Sequence, residues 1–240
     1  MGKSVFLFDL DGTLLPMDQD EFLRLYFEGL RRWFDGVYDF ETLSKTIWAG
    51  TAAMVKNDGK ETNETVFWRA AEARMGLKKE EAEPAFRRYY ETGFEIARGA
   101  TEAKPEIRAL VHRLKQLGCR LVAATTPLFP RVATENRLRW AGFDPADFEL
   151  ITTYEDMHFA KPSLGYYREI LEKIDAAPKA CVMVGNDNQE DMCAERLGID
   201  GYLITDCLIN REDAPVTCAW QGTFAEFAAI APALAGRGEP

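Results

Sequence analysis

The chain has 240 residues, of which 47% are hydrophobic, an ordinary share for a globular protein with a sizeable core. Its 39 acidic residues outnumber the 29 basic ones and give a formal net charge of -10. This balance argues against nucleic acid as a partner, because proteins that bind the phosphate backbone usually carry a basic surface. It is compatible with a small phosphorylated substrate, whose binding needs only a few local donors or a metal ion.

The cysteines and the start of the chain predict a cytoplasmic protein. The five cysteines are odd in number and include no close pair of the zinc-ligand type, so we expect reduced thiols. The apolar stretch at the N-terminus is too short for a secretory signal, and no run approaches the roughly 18 apolar residues that a membrane span needs. We expect no membrane segment, and the sequence leaves monomer and homodimer as equal alternatives.

Short apolar runs predict five buried strands along the chain. Their apolarity is continuous rather than alternating, which is typical of parallel strands covered on both faces. The strands are expected at residues 5–9, 120–126, 149–153, 180–187 and 201–205, and helices at residues 105–118, 132–142, 163–174 and 188–198. The alternation of strands and helices predicts an α/β fold, a Rossmann-like three-layer core around a parallel sheet.

The segment between the first strand and Pro105 contains no strand-like run. Hydrophobic residues spaced by three and four predict four helices instead, at residues 20–34, 40–56, 63–76 and 79–97. A direct strand–helix–strand crossover needs only about thirty residues, so the surplus indicates an inserted helical bundle. We predict a core domain of residues 1–16 and 98–240 and a helical cap domain of residues 17–97.

Two smaller expectations concern the cap and the end of the chain. The cap contains four large aromatic residues that we interpret as the core of its bundle and not as a platform for substrate. These residues are Trp33, Trp48, Phe67 and Trp68. The C-terminal residues 234–240 are expected to fray.

Polar side chains follow the carboxyl ends of the first four predicted strands. In open parallel sheets, ligands bind at this edge, so residues that are far apart in the sequence are expected to meet there. In strand order the residues are Asp9 and Asp11, then Thr125 and Thr126, then Lys161, and finally Asp187 and Asp191. Carboxylates, hydroxyls and an amine at one edge form a coherent set for phosphoryl transfer with a divalent cation.

The chemistry explains why these residue types would be combined. Asp9 and Asp11 lie two apart in an extended segment and so point the same way, which allows one to act as nucleophile and the other as acid and base. Gly12 permits the tight turn that follows them. Mg²⁺ prefers oxygen ligands, and lysine and threonine donate hydrogen bonds to the remaining phosphate oxygens.

In their sequence context these residues resemble the four motifs of the haloacid dehalogenase (HAD) superfamily. The motifs read "DLDGTL" at residues 9–14, Thr125 after an apolar strand, "AKP" at residues 160–162 and "GNDNQED" at residues 185–191. They occur in the order found in that family and span most of the chain. The helical insertion matches the cap that some members carry between the first and second motifs.

The resemblance implies a role for each residue. Asp9 would be the nucleophile that forms a phosphoaspartate, and Asp11 the general acid and base. Asp187 would bind Mg²⁺ together with Asp9 and the main-chain carbonyl of Asp11, while Asp191 would support the metal site or orient the lysine. The residues expected to hold the phosphoryl group are Thr125, Thr126, Lys161 and Gly12.

Two positions depart from the usual family pattern. The fourth motif often reads Gly-Asp, whereas here Asn186 separates Gly185 from Asp187. Thr126 stands where many relatives have asparagine or serine, so its main-chain N–H is expected to matter more than its side chain. Glu190 stays open as an alternative to Asp191 in supporting the metal.

The expected function is that of a Mg²⁺-dependent phosphomonoester hydrolase acting on a small phosphorylated metabolite, which the sequence does not identify. Three alternatives stay open. A 2-haloacid dehalogenase is disfavoured because it has no leaving-group oxygen for Asp11 to protonate. A sugar-phosphate mutase would transfer the phosphoryl group to a second hydroxyl. A phosphorylation-controlled receiver, which would not be an enzyme, lacks a cap of this size.

Overall fold

A six-stranded parallel sheet forms the centre of the protein, whose structure, a computed structural model, describes residues 2–235. The strands are β1 (Val5–Phe8), β2 (Arg120–Ala123), β3 (Leu150–Ile151), β4 (Cys181–Gly185), β5 (Asp200–Ile204) and β6 (Trp220–Gly222). Their order across the sheet is β3-β2-β1-β4-β5-β6, and every neighbouring pair is parallel. This arrangement confirms the predicted Rossmann-like α/β core.

Helices cover both faces of the sheet. They are α5 (Pro105–Gln116), α6 (Arg131–Trp140), α7 (Leu164–Lys173) and α8 (Phe224–Ala235). The alternating side chains of β1 show how one strand serves two cores, since Phe6 and Phe8 pack into one buried cluster and Val5 and Leu7 into the other. All four side chains are buried, which explains why the sequence of this strand is apolar throughout.

The segment between β1 and α5 is helical, as predicted. Its helices are α1 (Gln19–Trp33), α2 (Phe40–Val55), α3 (Asn63–Met75) and α4 (Lys79–Glu91). The side chains of Asp18, Asp39 and Thr62 accept hydrogen bonds from main-chain N–H groups in the first turns of α1, α2 and α3. These N-caps satisfy donors that the helix itself leaves free and so fix where each helix begins.

The prediction of one continuous helix over residues 79–97 is wrong. The α-helix ends at Glu91, and a 3-10 helix follows at Gly93–Ala100. Thr92 adopts φ -135° and ψ -56°, outside helical values, and its hydroxyl donates to the carbonyl of Arg88 at 2.8 Å. A side chain that bonds the preceding turn in this way competes with the helical ladder.

The prediction of a helix over residues 188–198 is also wrong. Residues 188–191 form a turn, and only a short 3-10 helix, Met192–Leu197, follows. The carboxylate of Asp187 accepts the main-chain N–H groups of Gln189 and Glu190, both at 2.9 Å. These local bonds stabilise the turn that replaces the first part of the predicted helix.

Two elements near the C-terminus were not predicted. Strand β6 has three residues, two of them Gln221 and Gly222, and so lacks an apolar run. Helix α8 includes Pro232, a residue that argues against a helix in a sequence pattern. Of the tail expected to fray, residues 234 and 235 end α8, and residues 236–240 lie outside the described residues.

The structure also bears on two bulk expectations. All five cysteines are free thiols. Among residues 2–235, no helix has both the length and the apolar character needed to cross a membrane.

Asn63 connects the start of α3 with the loops at the edge of the sheet. Its side chain is fully buried, and its amide nitrogen donates to the carbonyls of Pro127 and Phe159, each at 3.3 Å. Its main-chain N–H donates to the carbonyl of Met157 at 2.8 Å. One residue of the inserted helices therefore contacts both the loop after β2 and the loop that precedes Lys161.

Candidate active site

A cavity of about 210 Å³ lies at the carboxyl ends of β1, β2 and β4. In the sheet, Phe8 is aligned with Ala123 on one side and with Val184 on the other, so the residues that follow these three strands are neighbours. The chain crosses from one side of β1 to the other here, which is where open α/β sheets bind ligands. Among the residues that line the cavity are Asp9, Asp11, Thr125, Thr126, Asn186, Asp187, Glu190, Asp191 and Arg211.

Lys161 lies between two carboxylates beneath this cavity. Its ammonium nitrogen is 2.7 Å from Oδ1 of Asp9 and 2.6 Å from Oδ1 of Asp191, and the residue is only 2% exposed. An ammonium group has three N–H donors, so one is left for a ligand. Because Lys161 occupies Oδ1 of Asp9, the other oxygen of that carboxylate is left to act on a ligand.

Burial and the neighbouring opposite charges have opposing effects on the ionisation of Asp9 and Lys161. Burial raises the pKa of Asp9 to about 8, with Asp191 and Asp11 adding to the effect and the ammonium of Lys161 opposing it. Burial disfavours the charged form of Lys161, but Asp191 and Asp9 more than compensate and raise its pKa well above the usual value. A divalent cation beside Asp9 would favour the ionised carboxylate, which is the nucleophilic form.

Asp191 connects the lysine to the loop that follows β4. Its second carboxylate oxygen accepts the main-chain N–H of Asp187 at 2.9 Å. Its side chain is 1% exposed and lies directly against Gly185, the last residue of β4. Asp191 therefore contacts both Lys161 and the main chain at Asp187.

Gly185 leaves the space that Asp191 occupies. A Cβ atom at position 185 would lie 2.1 Å from Oδ2 of Asp191, far inside contact distance. We expect Gly185→Ala to displace Asp191 and Lys161, to lower the free energy of unfolding by about 1–3 kcal/mol and to reduce hydrolysis. Denaturant titration and turnover measure the two effects.

The matched control for this substitution is Gly99→Ala, where the added Cβ would meet only the end of the Leu25 side chain at 3.3 Å. Its unfolding midpoint and turnover should both stay close to those of the wild type. A Gly185→Ala protein with wild-type stability and turnover would show that Asp191 can move without consequence, against the geometry described above.

Asp187 and Glu190 are bridged by an arginine from the loop after β5. Arg211 lies 2.8 Å from Oδ2 of Asp187 and 3.2 Å from Oε1 of Glu190. The other oxygen of the Glu190 carboxylate accepts the hydroxyl of Thr126 at 3.0 Å. Burial raises the pKa of Glu190, an effect that Lys161 opposes and the charge of Asp187 reinforces. Glu190 therefore contacts Thr126, whereas Asp191 contacts Lys161.

Asp11 forms an ion pair with Arg137 of α6. The arginine is 1% exposed, and its guanidinium also donates to Thr134 and lies 4.5 Å from the ring centre of Phe129. It binds Oδ2 of Asp11, whereas Oδ1 is buried and has no hydrogen-bond partner within residues 2–235. A buried oxygen without a partner is costly, which indicates that a ligand completes its hydrogen bonding.

Thr125 presents a free hydroxyl to the cavity. Its main-chain carbonyl accepts the hydroxyls of Thr152 at 2.6 Å and Tyr166 at 3.0 Å, and these bonds fix the main chain. Its own hydroxyl makes no hydrogen bond to a described residue and is not enclosed by protein. By contrast, the hydroxyl of Thr126 already donates to Glu190, and a phosphate contact from its main-chain N–H stays a prediction.

Two predicted site residues, Gly12 and Lys161, do not line the cavity, and Gly12, unlike Lys161, binds none of the carboxylates that do. Its N–H donates to the carbonyl of Leu15 at 2.9 Å, so it is not free to bind phosphate. Its φ of +89° and a Cβ position 2.4 Å from the Asn186 amide both require glycine. The expected turn is present, and the role of Gly12 is to let Asn186 pack over it.

Two residues of the site were missed from the sequence. Arg137 falls in the buried stripe of α6 with Ala133, Thr134 and Leu138, so a charged residue on an apolar helix face was the available signal. Arg211 lies in an irregular loop and had no such signal. Asn186, noted only as an intervening residue, accepts the hydroxyl of Thr13 at 2.9 Å and ties the first motif to the fourth.

The donor set fits a magnesium ion that arrives with a phosphate group. Within residues 2–235, no three His, Cys, Asp or Glu side chains form a ready metal cluster. Mg²⁺, however, is usually bound by one or two carboxylates together with substrate phosphate oxygens and water. Asp9 and Asp187 line the same cavity, and Arg211, which is paired with Asp187, would have to leave that carboxylate for a metal ion to bind it. The oxygen ligands themselves are of the kind that a hard divalent cation prefers.

A family model for haloacid dehalogenase-like hydrolases matches residues 3–201. The chain belongs to this family. It is therefore a hydrolase, as its first motif and parallel sheet indicated. No curated protein matches the sequence at a significant level.

Solved structures with the same fold include a HAD phosphatase from Thermococcus onnurineus as well as 2-haloacid dehalogenases. A 2-haloacid dehalogenase from Pseudomonas syringae pv. Tomato DC3000 has a TM-score of 0.62 at 19% identity, with 99% of each chain covered. CbbY from Rhodobacter sphaeroides in complex with phosphate has a TM-score of 0.59 at 22% identity, covering 95% of this chain and 96% of that one. The putative HAD-hydrolase YfnB from Bacillus subtilis, bound to magnesium, has a TM-score of 0.57 at 20% identity, covering 96% and 99%. These likenesses establish the fold, and the reaction has to be argued from the site.

Proposed function

We propose that the protein is a Mg²⁺-dependent phosphomonoester hydrolase that acts on a small phosphorylated metabolite through a phosphoaspartate. The observation that carries this proposal is the second carboxylate of the first motif. Asp11 lines the same cavity as Asp9, is held by a buried arginine and keeps one oxygen without a partner. A dehalogenase has no leaving oxygen to protonate, so such a carboxylate would have no task there.

In the first step, the free oxygen of Asp9 attacks the phosphorus atom and the bond to the leaving oxygen breaks. Asp11, protonated on the oxygen that Arg137 does not bind, gives that proton to the leaving oxygen, which departs as an alcohol. Lys161 and the hydroxyl of Thr125 donate hydrogen bonds to the oxygens of the transferring group. Lys161 stays paired with Asp191 throughout, so its position does not depend on the substrate.

In the second step, water attacks the phosphorus atom of the phosphoaspartate, and Asp11 accepts the proton of that water. The bond between phosphorus and Asp9 breaks, which releases phosphate and restores the carboxylate. Asp9 and Asp187, with the main-chain carbonyl of Asp11, would hold Mg²⁺ when it is bound. The ion would supply charge neutralisation for the phosphate oxygens.

We also propose that residues 17–97 act as a cap over a core of residues 1–16 and 98–240. The path of the chain supports this division, since it enters and leaves the helical segment at one place. The N–H of Asp18 donates to the carbonyl of Ala100 at 3.0 Å, and that of Glu102 donates to Pro16 at 2.9 Å. Two adjacent crossings allow the helices to move as a unit relative to the sheet.

The proposed function is tested by phosphate release in the presence and absence of the metal. We expect phosphate release from a panel of phosphorylated metabolites in Mg²⁺, loss of turnover in excess EDTA and recovery when Mg²⁺ is returned. The Asp187→Asn variant should need a much higher Mg²⁺ concentration for half-maximal activity, because the substitution removes one of the two carboxylates proposed to bind the metal ion.

The matched control is Asp175→Asn, an exposed aspartate beyond the end of α7, which should leave the Mg²⁺ dependence unchanged. Halide release from 2-chloropropionate is measured alongside. Chloride release that continues in excess chelator, without any phosphate release, would overturn the proposed phosphatase activity and support dehalogenase activity instead.

A further inference from the structure

An apolar chamber of about 230 Å³ lies next to the catalytic cavity, between the inserted helices and the sheet. Helices α1 to α4 all contribute to its walls, with aromatic residues such as Phe27, Trp48 and Phe67. Leu128 and Phe129, from the loop after β2, line both this chamber and the catalytic cavity. The two spaces therefore share a wall within three residues of Thr125.

We propose that this chamber binds the leaving group of the substrate, and that the leaving group is an uncharged apolar alcohol. This inference rests on the proposed phosphatase function and names its substrate class. The phosphate would lie at Asp9 and the organic part would extend past Leu128 and Phe129. Three residues of extended chain span at most about 10 Å, so the chamber wall at Leu128 lies within about 10 Å of Thr125.

Charge supports this substrate class. None of the described residues that line the chamber is charged; its walls are aromatic and aliphatic apart from the hydroxyl of Thr51 and those of its tyrosines. A carboxylate or a second phosphate on the leaving group would find no counterion on these walls, at a high cost in free energy wherever it is buried. Phosphoglycolate and bisphosphates are therefore disfavoured as substrates, and alkyl or aryl phosphates are favoured.

Size and hydrogen bonding support the same class. An apolar cavity of about 150 Å³ is enough to bind a benzene molecule, so a chamber of this volume accepts a ring or a chain of several carbons. The indole N–H of Trp68, a wall residue only 6% exposed, interacts with the hydroxyl of Tyr154, which also lines the chamber, so it adds little polarity to the walls.

The exposure of the cap aromatics agrees with a binding role better than with a bundle core. Trp48 is 50% exposed, and its ring stacks on that of Phe27 with centroids 5.5 Å apart. A tryptophan that only completed a core would be more buried than this. The interpretation as core is therefore wrong for Trp48 and also for Trp33, which is 39% exposed, whereas Trp68 is buried in the core and Phe67 packs against it. Trp48 lies on the chamber wall and Trp33 does not.

The test is an alkyl phosphate series, because leaving-group basicity barely changes from ethyl to hexyl phosphate. We expect kcat/KM to rise about fourfold for each methylene that enters the chamber, or about 10²-fold across the series. Phosphoglycolate should be a poorer substrate than ethyl phosphate. A flat series, or a preference for phosphoglycolate, would overturn the inference.

The variant that tests the chamber itself is Thr51→Arg, which places a cation at a half-buried wall position of α2. It should flatten the alkyl series and raise kcat/KM for phosphoglycolate relative to hexyl phosphate. Its matched control is Ala52→Arg, the next residue, which is exposed and does not line the chamber. An unchanged series in Thr51→Arg would place the alkyl group elsewhere.

Two further measurements keep the inference separable from the proposed function. If Thr51→Arg fails to fold, Leu23→Arg tests the same wall from α1, where the leucine is 37% exposed. If no ester in the panel is hydrolysed, the proposed function has failed. Calorimetry of hexyl phosphate and ethyl phosphate with the wild-type protein then tests whether the chamber binds an alkyl group. Equal affinities for the two esters would overturn the inference.

Discussion

Asp9→Asn is expected to abolish turnover of p-nitrophenyl phosphate, whereas Asp11→Asn is expected to release one equivalent of nitrophenol and then stall. The first variant lacks the attacking oxygen, so no covalent intermediate can form. The second keeps the nucleophile but loses proton transfer, which is worth roughly 10²–10⁴-fold. Nitrophenol is a good leaving group that needs little protonation, so formation of the phosphoaspartate is little affected. Its hydrolysis is slowed, because the attacking water still needs Asp11 as a base.

Rapid mixing and intact-protein mass spectrometry measure this difference. The Asp11 variant should show a burst equal to the enzyme concentration, with one phosphate retained on the protein. Asp18→Asn serves as the control, because asparagine still caps α1 and the residue does not line the catalytic cavity. A burst in the Asp9 variant and none in the Asp11 variant would reverse the two roles.

Arg137→Met is expected to lower the free energy of unfolding by about 3 kcal/mol and to reduce kcat with little change in KM. The ion pair with Asp11 is buried on the arginine side, and removing one partner of a buried pair typically costs about 3–5 kcal/mol. We place the loss at the lower end because the Asp11 side chain is 22% exposed and can be partly hydrated. Arg137 positions Asp11 and does not line the cavity, so substrate affinity should be spared.

A double-mutant cycle with Asp11→Asn separates this role from simple packing. The double variant should be more stable than the sum of the two single losses predicts, because the unpaired charge is gone. Arg139→Met on the same helix is the control, since Arg139 is paired with Glu135 at the surface and should cost less than about 1 kcal/mol. A raised KM with unchanged kcat in Arg137→Met would contradict a positioning role.

The parallel sheet and most of the site could be predicted because they depend on local signals. Continuous apolar runs at β1 and β4 indicate strands buried on both faces. The strand ends then bring Asp9 and Asp187 into one cavity, and Lys161 bonds Asp9 beside it. The turn after β4 was not predicted from the sequence. There the carboxylates of Asp187 and Asp191 bond the local main chain, and these bonds override a helical pattern.

What could not be predicted depends on contacts between distant segments. The sequence shows that α6 carries an arginine on its buried stripe, but only the fold shows that Asp11 lies opposite it. Likewise, periodicity identifies the apolar face of α2 without showing whether that face meets another helix or surrounds a space. Trp48 was assigned to the bundle core for this reason, and it lines the chamber instead.

The hydrogen bonds of Asn63 couple the inserted helices to the loops around the catalytic cavity. Lifting α3 away from the sheet must break its bonds to Pro127, Phe159 and Met157, each worth about 0.5–1.5 kcal/mol, and expose a fully buried amide. Pro127 follows Thr126 directly, and Phe159 lies two residues before Lys161. Any movement of α3 away from the sheet would therefore also displace the two segments that carry Thr126 and Lys161.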